Sequence, residues 1–285
     1  MMNSRRSFLA VVGSAALGLA LPSCRPTSAS PPRRRLRRIG LQLYTLRSEM
    51  QRDLPGTLAR VAEIGYQEVE FAGYFGRTPA DIRALLEQNH LTAPSSHVGF
   101  PDLGDGWART LDDAKAVGHT FVTVPWIAEE ARRDADGYRR VADVFNRAAR
   151  QARDKGLRFA YHNHDFEFRP TAGLVPFNIL LEQTDPTLVD FEMDLYWVVK
   201  GGHDPVEYFD KYPRRFAMVH VKDATAAPER RMTDVGKGTI DFRRIFANDA
   251  EHGASIQHFF VEYDEPPDPM ASVRASHDYL AQLEY

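Results

Sequence analysis

The sequence predicts a (β/α)₈ barrel, a closed ring of eight parallel strands with a helix after each strand. Three observations lead to this fold class. Short apolar runs alternate with longer amphipathic stretches from Ile39 onward, eight such pairs follow in order, and acids and histidines collect where the apolar runs end. With 285 residues and 43% hydrophobic content, the chain can build one core of the required size. We therefore expect one barrel domain over residues 39–285.

The strands are predicted from short runs of β-branched and aromatic residues between turn signals. They are Ile39–Tyr44, Glu68–Phe71, Thr92–His97, Phe121–Val124, Arg158–His162, Val189–Met193, Phe216–His220 and His258–Glu262. Strands separated by helical stretches are typical of parallel sheets.

The helices are predicted from apolar periodicity between those runs. They are Leu54–Ile64, Pro79–Gln88, Trp107–Val117, Gly137–Lys155, Val175–Glu182, Pro205–Lys211, Phe242–Ala247 and Met270–Leu283. Thr78-Pro79 and Asp204-Pro205 are helix start signals, and Lys155-Gly156 is a stop signal. A doubly wound open sheet is the alternative, but the usual glycine-rich turn after its first strand is missing.

The N-terminus has the pattern of a twin-arginine export signal. Ser4-Arg5-Arg6-Ser7-Phe8-Leu9 is followed by an apolar run from Leu9 to Leu21. About a dozen apolar residues are too few for a permanent membrane-spanning helix. We predict a signal peptide over residues 1–23, the twin-arginine export machinery as a partner, and a periplasmic location.

Cys24 is the single cysteine of the chain and follows Leu21-Pro22-Ser23, which resembles a lipoprotein cleavage box. A lone cysteine cannot form an internal disulfide, so lipidation of Cys24 would explain its presence after export. Soluble release by cleavage near Ala29 is the alternative. Residues 24–38 are rich in proline and arginine and are predicted to form a flexible tether.

Composition argues against nucleic acid as a partner. The chain has 36 basic and 39 acidic residues, a formal charge of −3 and a pI near 6.4. No broad basic surface is expected from this balance, and the basic residues concentrate near the N-terminus. A small molecule is the expected partner of the barrel.

Polar and aromatic residues lie at the predicted carboxyl ends of the strands, where the active sites of such barrels are found. In chain order they are Gln42, Tyr44, Glu70, His97, Trp126, His162, His164, Asp194, His220, Lys222, Asp223 and Glu262. The last four strands contribute the nitrogen and oxygen donors His162, Asp194, His220 and Glu262. Such a set suits Mn²⁺, Co²⁺, Zn²⁺ or Mg²⁺, and we predict that these four residues bind one divalent ion.

Several segments together resemble the xylose-isomerase-like barrel superfamily of sugar isomerases, epimerases and inosose dehydratases. They are Gly65–Glu70, Tyr161–Phe168, Glu192-Met193-Asp194, Val219–Asp223, Gly236–Asp241 and Val261-Glu262, within a resemblance that spans residues 39–285. The resemblance implies metal ligands at the ends of strands five to eight, which are the four residues just named. Ketose epimerases carry a glutamate where this chain has His162, so strand five is more similar to the inosose dehydratase branch. Glu167 could supply the missing carboxylate if its loop folds back.

The predicted function is that of a metal-dependent sugar isomerase or epimerase that works through an enediolate, with Mn²⁺ as the first choice of metal. Glu262, His164 and His162 are the candidate bases, and Lys222 is a candidate to stabilise negative charge on oxygen. A lyase or hydratase acting on keto-sugars, inososes or 3-keto-glycosides is the first alternative. An exported carbohydrate-binding barrel without activity is the second.

The substrate is predicted to contact aromatic and polar side chains at the strand ends. Tyr44, Trp126 and Trp197 could form apolar walls against a sugar face. Glu70 and His97 follow strands two and three and could bind sugar hydroxyls. An endonuclease function is disfavoured because the sequence lacks a basic groove and carries an export signal.

Overall fold

Eight parallel strands close into a barrel in the computed structural model, which describes residues 33–253 and 255–285. The barrel strands are β1 (Gly40–Gln42), β2 (Glu68–Phe71), β3 (Thr92–His97), β4 (Phe121–Val124), β5 (Arg158–His162), β6 (Val189–Asp194), β7 (Phe216–Val221) and β8 (His258–Val261). Each strand pairs with its neighbours in chain order, and β1 also pairs with β8. The predicted (β/α)₈ fold is confirmed.

Helices follow the strands and surround the barrel. In the described residues they are α1 (Arg47–Ile64), α2 (Pro79–Gln88), α3 (Trp107–Val117), α4 (Ala135–Asp154), α5 (Pro176–Gln183), α6 (Leu195–Lys200), α7 (Pro205–Lys211), α8 (Phe242–Glu251) and α9 (Pro269–Gln282). Thr78 and Asp204 cap α2 and α7 by accepting hydrogen bonds from backbone N–H groups. Gly156 follows α4 with a φ of +78°, a conformation that favours glycine at a helix end.

The structure differs from the predicted elements after β1 and after β6. β1 ends at Gln42, and Tyr44 lies in a 3₁₀ helix over Leu43–Leu46 rather than in the strand. The helical stretch α1 then begins at Arg47, with a kink at Asp53 where the backbone leaves helical geometry just before Pro55. Short apolar runs do not distinguish strands from helical turns, so these boundaries were not readable from periodicity.

Two further elements on the carboxyl side of the barrel were not predicted. α6 begins directly after β6, where the Asp194 side chain accepts a hydrogen bond from the backbone N–H of Trp197 at 2.9 Å. A two-stranded antiparallel hairpin pairs Asp223–Ala224 with Met232–Thr233. Both elements lie next to strand ends that carry candidate site residues.

Successive side chains of each strand point alternately toward the surrounding helices and toward the barrel interior. On β7, Val219 and Val221 belong to the main core between strands and helices, whereas Met218 belongs to a separate small cluster. That second cluster consists of Phe121, Ala160, Ala217, Met218 and Phe260. Side chains two residues apart on a strand share a face, so His220 lies above Met218 on the interior face of β7.

The described chain begins with residues assigned to the predicted tether. Arg34 and Tyr285 exchange backbone hydrogen bonds of 2.8 and 3.0 Å, and Arg35 donates to Glu284. The predicted signal peptide and Cys24 lie outside the described residues. Within the described ranges, no helix combines the length and apolar character needed to cross a membrane.

Candidate active site

The four predicted metal ligands come together at the carboxyl end of the barrel. His162, Asp194, His220 and Glu262 are all buried there. His220 Nδ1 lies 2.8 Å from Glu262 Oε2, and His162 Nε2 lies 3.6 Å from Asp194 Oδ2. Their assignment as ligands stays a prediction, but barrel closure places their donor atoms in one cluster.

These residues belong to two groups of potential ligands that share His220. The carboxylate-rich group is Asp194, His220 and Glu262, and the histidine-rich group is His97, His162, Glu192 and His220. Within each group the ligand atoms lie within 4.8 Å of one another. Three predicted ligands therefore form one group, whereas His162 joins the other.

Glu192 is a site residue that the sequence analysis did not single out. Its Oε2 lies 3.0 Å from His97 Nε2, 3.2 Å from His162 Nδ1 and 3.1 Å from His220 Nε2. The signal that could have found it is strand alternation, because Glu192 precedes Asp194 by two residues and shares its face of β6.

Glu70 is buried beside the same histidines. Its Oε2 lies 2.7 Å from both His220 Nε2 and Gln42 Nε2, and 3.2 Å from His97 Nε2. The predicted role of Glu70 in substrate binding stays a prediction. Glu70 contacts His97 and His220 and is not among the described residues that line the cavity, so it orients these two histidines.

Lys222 lies among three carboxylates. Its Nζ is 2.6 Å from Glu262 Oε2, 2.7 Å from Asp264 Oδ1 and 3.0 Å from Asp194 Oδ2. Burial alone would lower the pKa of Lys222, but the three carboxylates outweigh burial and hold it well above 10.5. Lys222 is therefore an ammonium, and Asp264 is a second residue that the sequence analysis missed.

The histidines of the site differ in their expected charge. Burial lowers the pKa of His164 to about 3, and its Nδ1 is buried without a hydrogen-bond partner in the described structure. For His97 the nearby Glu70 and Glu192 outweigh burial and raise the pKa to about 9. A neutral His164 and a protonated His97 thus lie at the same end of the barrel near pH 7.

A cavity of about 720 Å³ opens above this cluster. Seven predicted site residues line it, namely Tyr44, His97, Trp126, His162, His164, Lys222 and Glu262. Trp126 is half exposed and packs edge-on against His164 and Phe166, with ring centroids 5.1 and 4.8 Å apart. Trp197 packs against His164 at 5.4 Å and is not among the described lining residues, so it supports His164 from behind.

The charges and unpartnered atoms of the cluster fit a divalent cation. Glu70 Oε1, Glu192 Oε1 and Asp194 Oδ2 are buried and accept no hydrogen bond from the described residues, although Lys222 Nζ lies near Asp194. Both ring nitrogens of His220 face carboxylates, and these outweigh burial and raise the pKa of His220 well above its ordinary value. Because unpaired buried carboxylate oxygens are costly, the arrangement favours added positive charge, and these ligand types suit a divalent ion.

Fold and site together define a (β/α)₈-barrel protein with a metal-competent centre at the carboxyl ends of its last four strands. Residues 58–283 match the family described as xylose isomerase-like TIM barrel, and the chain belongs to that family. The family resemblance inferred from the strand-end motifs is confirmed.

Three similar proteins show what the chain resembles. An inosose dehydratase from Geobacillus kaustophilus is 27% identical over 283 residues, which covers 81% of this chain and 90% of the relative. A solved sugar phosphate isomerase/epimerase from Parabacteroides distasonis is 30% identical with a TM-score of 0.76, and the match covers 86% of this chain and 98% of that one. A solved IOLI protein with a zinc atom is 13% identical with a TM-score of 0.70 over 85% of this chain and 95% of that one, a likeness of fold alone.

Proposed function

We propose that the protein is a divalent-metal-dependent lyase of the dehydratase type that acts on a keto-sugar or an inosose. The observation that carries the proposal is that the His164 ring and the Lys222 ammonium lie on one cavity. His164 and Lys222 both line that cavity beside the metal-competent cluster. The proposal moves the lyase ahead of the isomerase, because Lys222 lies on the cavity as a proton donor for a leaving hydroxyl and inosose dehydratases are among the relatives.

The metal would be held by Asp194, His220 and Glu262 together with His162. When bound, a divalent ion polarises a ketone carbonyl and stabilises negative charge on its oxygen. Mn²⁺ is the first choice, as the mixed nitrogen and oxygen donors suit it. Glu262 also contacts Lys222, so the same carboxylate would connect the metal site to the ammonium.

The side chains of this protein supply the proton transfers. The neutral His164 ring accepts the proton from the carbon next to the ketone as that C–H bond breaks. The electron pair forms a carbon–carbon double bond and the C–O bond at the next carbon breaks. Lys222 donates a proton to the departing hydroxyl, which leaves as water. Asp194, Glu262 and Asp264 hold the ammonium in place for this step.

Isomerisation or epimerisation is the second candidate, and His97 favours it. His97 lines the same cavity as His164 but belongs to β3, on another side of the barrel. A protonated His97 could return a proton to a different carbon of the substrate after His164 has removed one. The likeness to a solved sugar phosphate isomerase/epimerase supports the same candidate.

Proton NMR in D₂O tests the proposal. The Mn²⁺-loaded protein is given scyllo-inosose and a panel of free ketoses, beside His164→Gln and a His252→Gln control at an exposed position. We expect deuterium next to the carbonyl and loss of water from the substrate, with exchange about 100-fold slower in His164→Gln. His252→Gln should behave as the wild type, and Mn²⁺ affinity should be unchanged in both variants.

Each product assigns one function. An enone with loss of water supports the lyase, and a rearranged or epimerised sugar without loss of water supports the isomerase. Sugar affinity by calorimetry without any exchange would instead favour the carbohydrate-binding barrel. Exchange that is equally fast in His164→Gln would refute the role of this histidine.

We also propose export by the twin-arginine route and lipidation of Cys24, on the sequence features of residues 1–24. Cell fractionation tests both steps. Changing Arg5 and Arg6 together to lysine should retain the protein in the cytoplasm. Cys24→Ser should leave export intact and move the protein from the membrane to the soluble periplasmic fraction. Membrane association of Cys24→Ser would argue against a lipid anchor.

A further inference from the structure

The cavity above the active site is large for a single sugar ring. At about 30 Å³ per water molecule, its 720 Å³ corresponds to roughly two dozen waters. One hexose ring has about twelve non-hydrogen atoms, which pack more closely than liquid water, so it fills well under half of that space. The space therefore fits a substrate with a second group beyond the reacting ring.

The additional space lies on the side of β2 and β3. We call it the side arm, and the residues that line it are Gly73, Tyr74, Val98, Gly99, Asp102, Thr110, Asp113 and Ala114. They belong to the segments that follow β2 and β3 and to α3, whereas the metal-competent cluster is built mainly from β5 to β8. A ring bound at the cluster would leave the side arm for its substituent.

Tyr74 forms a rigid wall of the side arm. Its hydroxyl lies 2.9 Å from His119 Nε2, and His119 Nδ1 lies 2.7 Å from the carbonyl oxygen of Ala93. The carbonyl can only accept, so His119 Nδ1 donates to it and Nε2 accepts from the Tyr74 hydroxyl. Burial keeps His119 neutral by lowering its pKa to about 4, and the Phe71 ring packs edge-on at 5.7 Å. A held aromatic ring suits stacking against a sugar face.

The charge of the side arm is negative. Its acidic lining residues are Asp102 and Asp113, of which Asp113 lies 3.8 Å from the exposed Arg109. The basic lining residues among those described, Lys222 and three histidines, lie at the barrel centre. Lys222 already contacts three carboxylates there. A phosphate or carboxylate group in the side arm would meet two acids, whereas sugar hydroxyls could donate hydrogen bonds to them.

From the volume of the cavity, the fixed ring of Tyr74 and the negative charge of the side arm, we propose that the substrate is an uncharged glycoside of two rings. Its second ring stacks on Tyr74 in the side arm. The inference rests on the proposed function for the position of the reacting ring. It names the substrate class as a neutral glycoside and excludes phosphate esters. Tyr74 is then a specificity-determining residue and His119 the residue that positions it.

Calorimetry with three matched ketoses tests the inference on the full Mn²⁺-loaded chain. The probes are fructose, isomaltulose, which carries a glucosyl group on O6, and fructose 6-phosphate, which carries a phosphate there. We expect isomaltulose to bind about tenfold more tightly than fructose, and fructose 6-phosphate to bind no more tightly than fructose. Tyr74→Ala should remove the advantage of isomaltulose and leave fructose affinity unchanged.

A second variant tests the side arm independently, in case Tyr74→Ala does not fold. Thr110→Trp fills the side arm from α3 and should have the same effect, while Ala116→Trp, on an exposed position of the same helix, should behave as the wild type. Tyr74→Phe keeps the ring and should retain most of the advantage. Thermal melting confirms that each variant is folded.

The opposite results would overturn the inference. For the wild type, these are equal affinity for fructose and isomaltulose, no binding of isomaltulose, or tighter binding of fructose 6-phosphate than of fructose. For Thr110→Trp, the contradicting result is an equal loss of affinity for fructose and isomaltulose. The proposed function fails separately, through absent deuterium exchange. Binding that depends on the side arm without exchange would refute the lyase and leave the glycoside assignment in place.

Discussion

The two ends of the barrel interior both contain buried carboxylates, but only the amino end pairs them completely. Glu68 and Glu70 lie two residues apart on β2, at opposite ends of the interior. Glu68 accepts hydrogen bonds from Arg38 at 3.1 Å and lies 2.8 Å from His258 Nδ1, one partner for each oxygen. At the same end Arg158 donates to both oxygens of Asp190 at 2.8 and 2.6 Å.

The carboxyl end has the opposite balance. Glu70, Glu192, Asp194, Glu262 and Asp264 face one lysine and a set of histidines. Glu70 Oε1 and Glu192 Oε1 have no hydrogen-bond partner among the described residues, and Asp194 Oδ2 has only the shared Lys222 ammonium at 3.0 Å. The apolar cluster around Met218 and Phe260 lies between the two ends. Complete pairing at the amino end stabilises the fold, whereas incomplete pairing at the carboxyl end is typical of a site that binds a charged ligand.

Replacing one acid at each end of the barrel interior should give the largest difference in turnover between two variants. Glu262→Gln removes a predicted ligand and the closest partner of Lys222, so turnover should fall about 1,000-fold. Glu68→Gln should leave turnover within about twofold and lower the free energy of unfolding by about 1–2 kcal/mol, since it weakens a paired network. The measurements are deuterium exchange with a responsive keto-sugar and chemical unfolding. Similar losses of activity in both variants would contradict the division between the ends.

A second pair of variants divides the carboxyl end itself. If the metal binds the carboxylate-rich group, Asp194→Asn should weaken Mn²⁺ binding by about 10- to 100-fold. Glu192→Gln, on the same face of β6, should weaken it less, by about tenfold, because Glu192 contacts the predicted ligands His162 and His220 without being one. Calorimetric titration of metal-free protein with Mn²⁺ measures both. A larger loss in Glu192→Gln would place the metal in the histidine-rich group instead.

The smallest expected effect is on the pH dependence of stability. Burial would raise the pKa of Glu68, but His258 and Arg38 outweigh it and hold this pKa below 4.5. A depressed pKa in the folded state contributes stability that is present above about pH 4.5 and is lost as the pH falls through the folded value. Melting temperatures of wild type and Glu68→Gln should therefore differ above about pH 5 and converge toward about pH 3. A constant difference across this range would show that Glu68 acts by packing alone.

The sequence by itself determined the barrel and most strand-end residues. β2 to β5 have the predicted bounds, as do α2, α3 and α7, because apolar alternation and helix caps act over a few neighbouring residues. The same alternation brought Asp194 and His220 to the carboxyl end of the interior. The short 3₁₀ helix that contains Tyr44 and the helix α6 are capped by Gln42 and Asp194, but both elements are too short to show apolar periodicity in the sequence.

Only the tertiary structure decided which of these residues contact one another. His220 meets Glu70 across 150 positions of sequence, and His97 meets Glu192 across 95. These pairs depend on the register in which β1 closes against β8 and on the twist of the sheet, which add up over all eight strands. Hydrogen bonds form only within a few tenths of an ångström, so a sequence pattern can place a residue at a strand end but cannot select its partner. For that reason the contacts of Glu192 with three histidines, of Asp264 with Lys222 and of Tyr74 with His119 became visible only in the folded barrel.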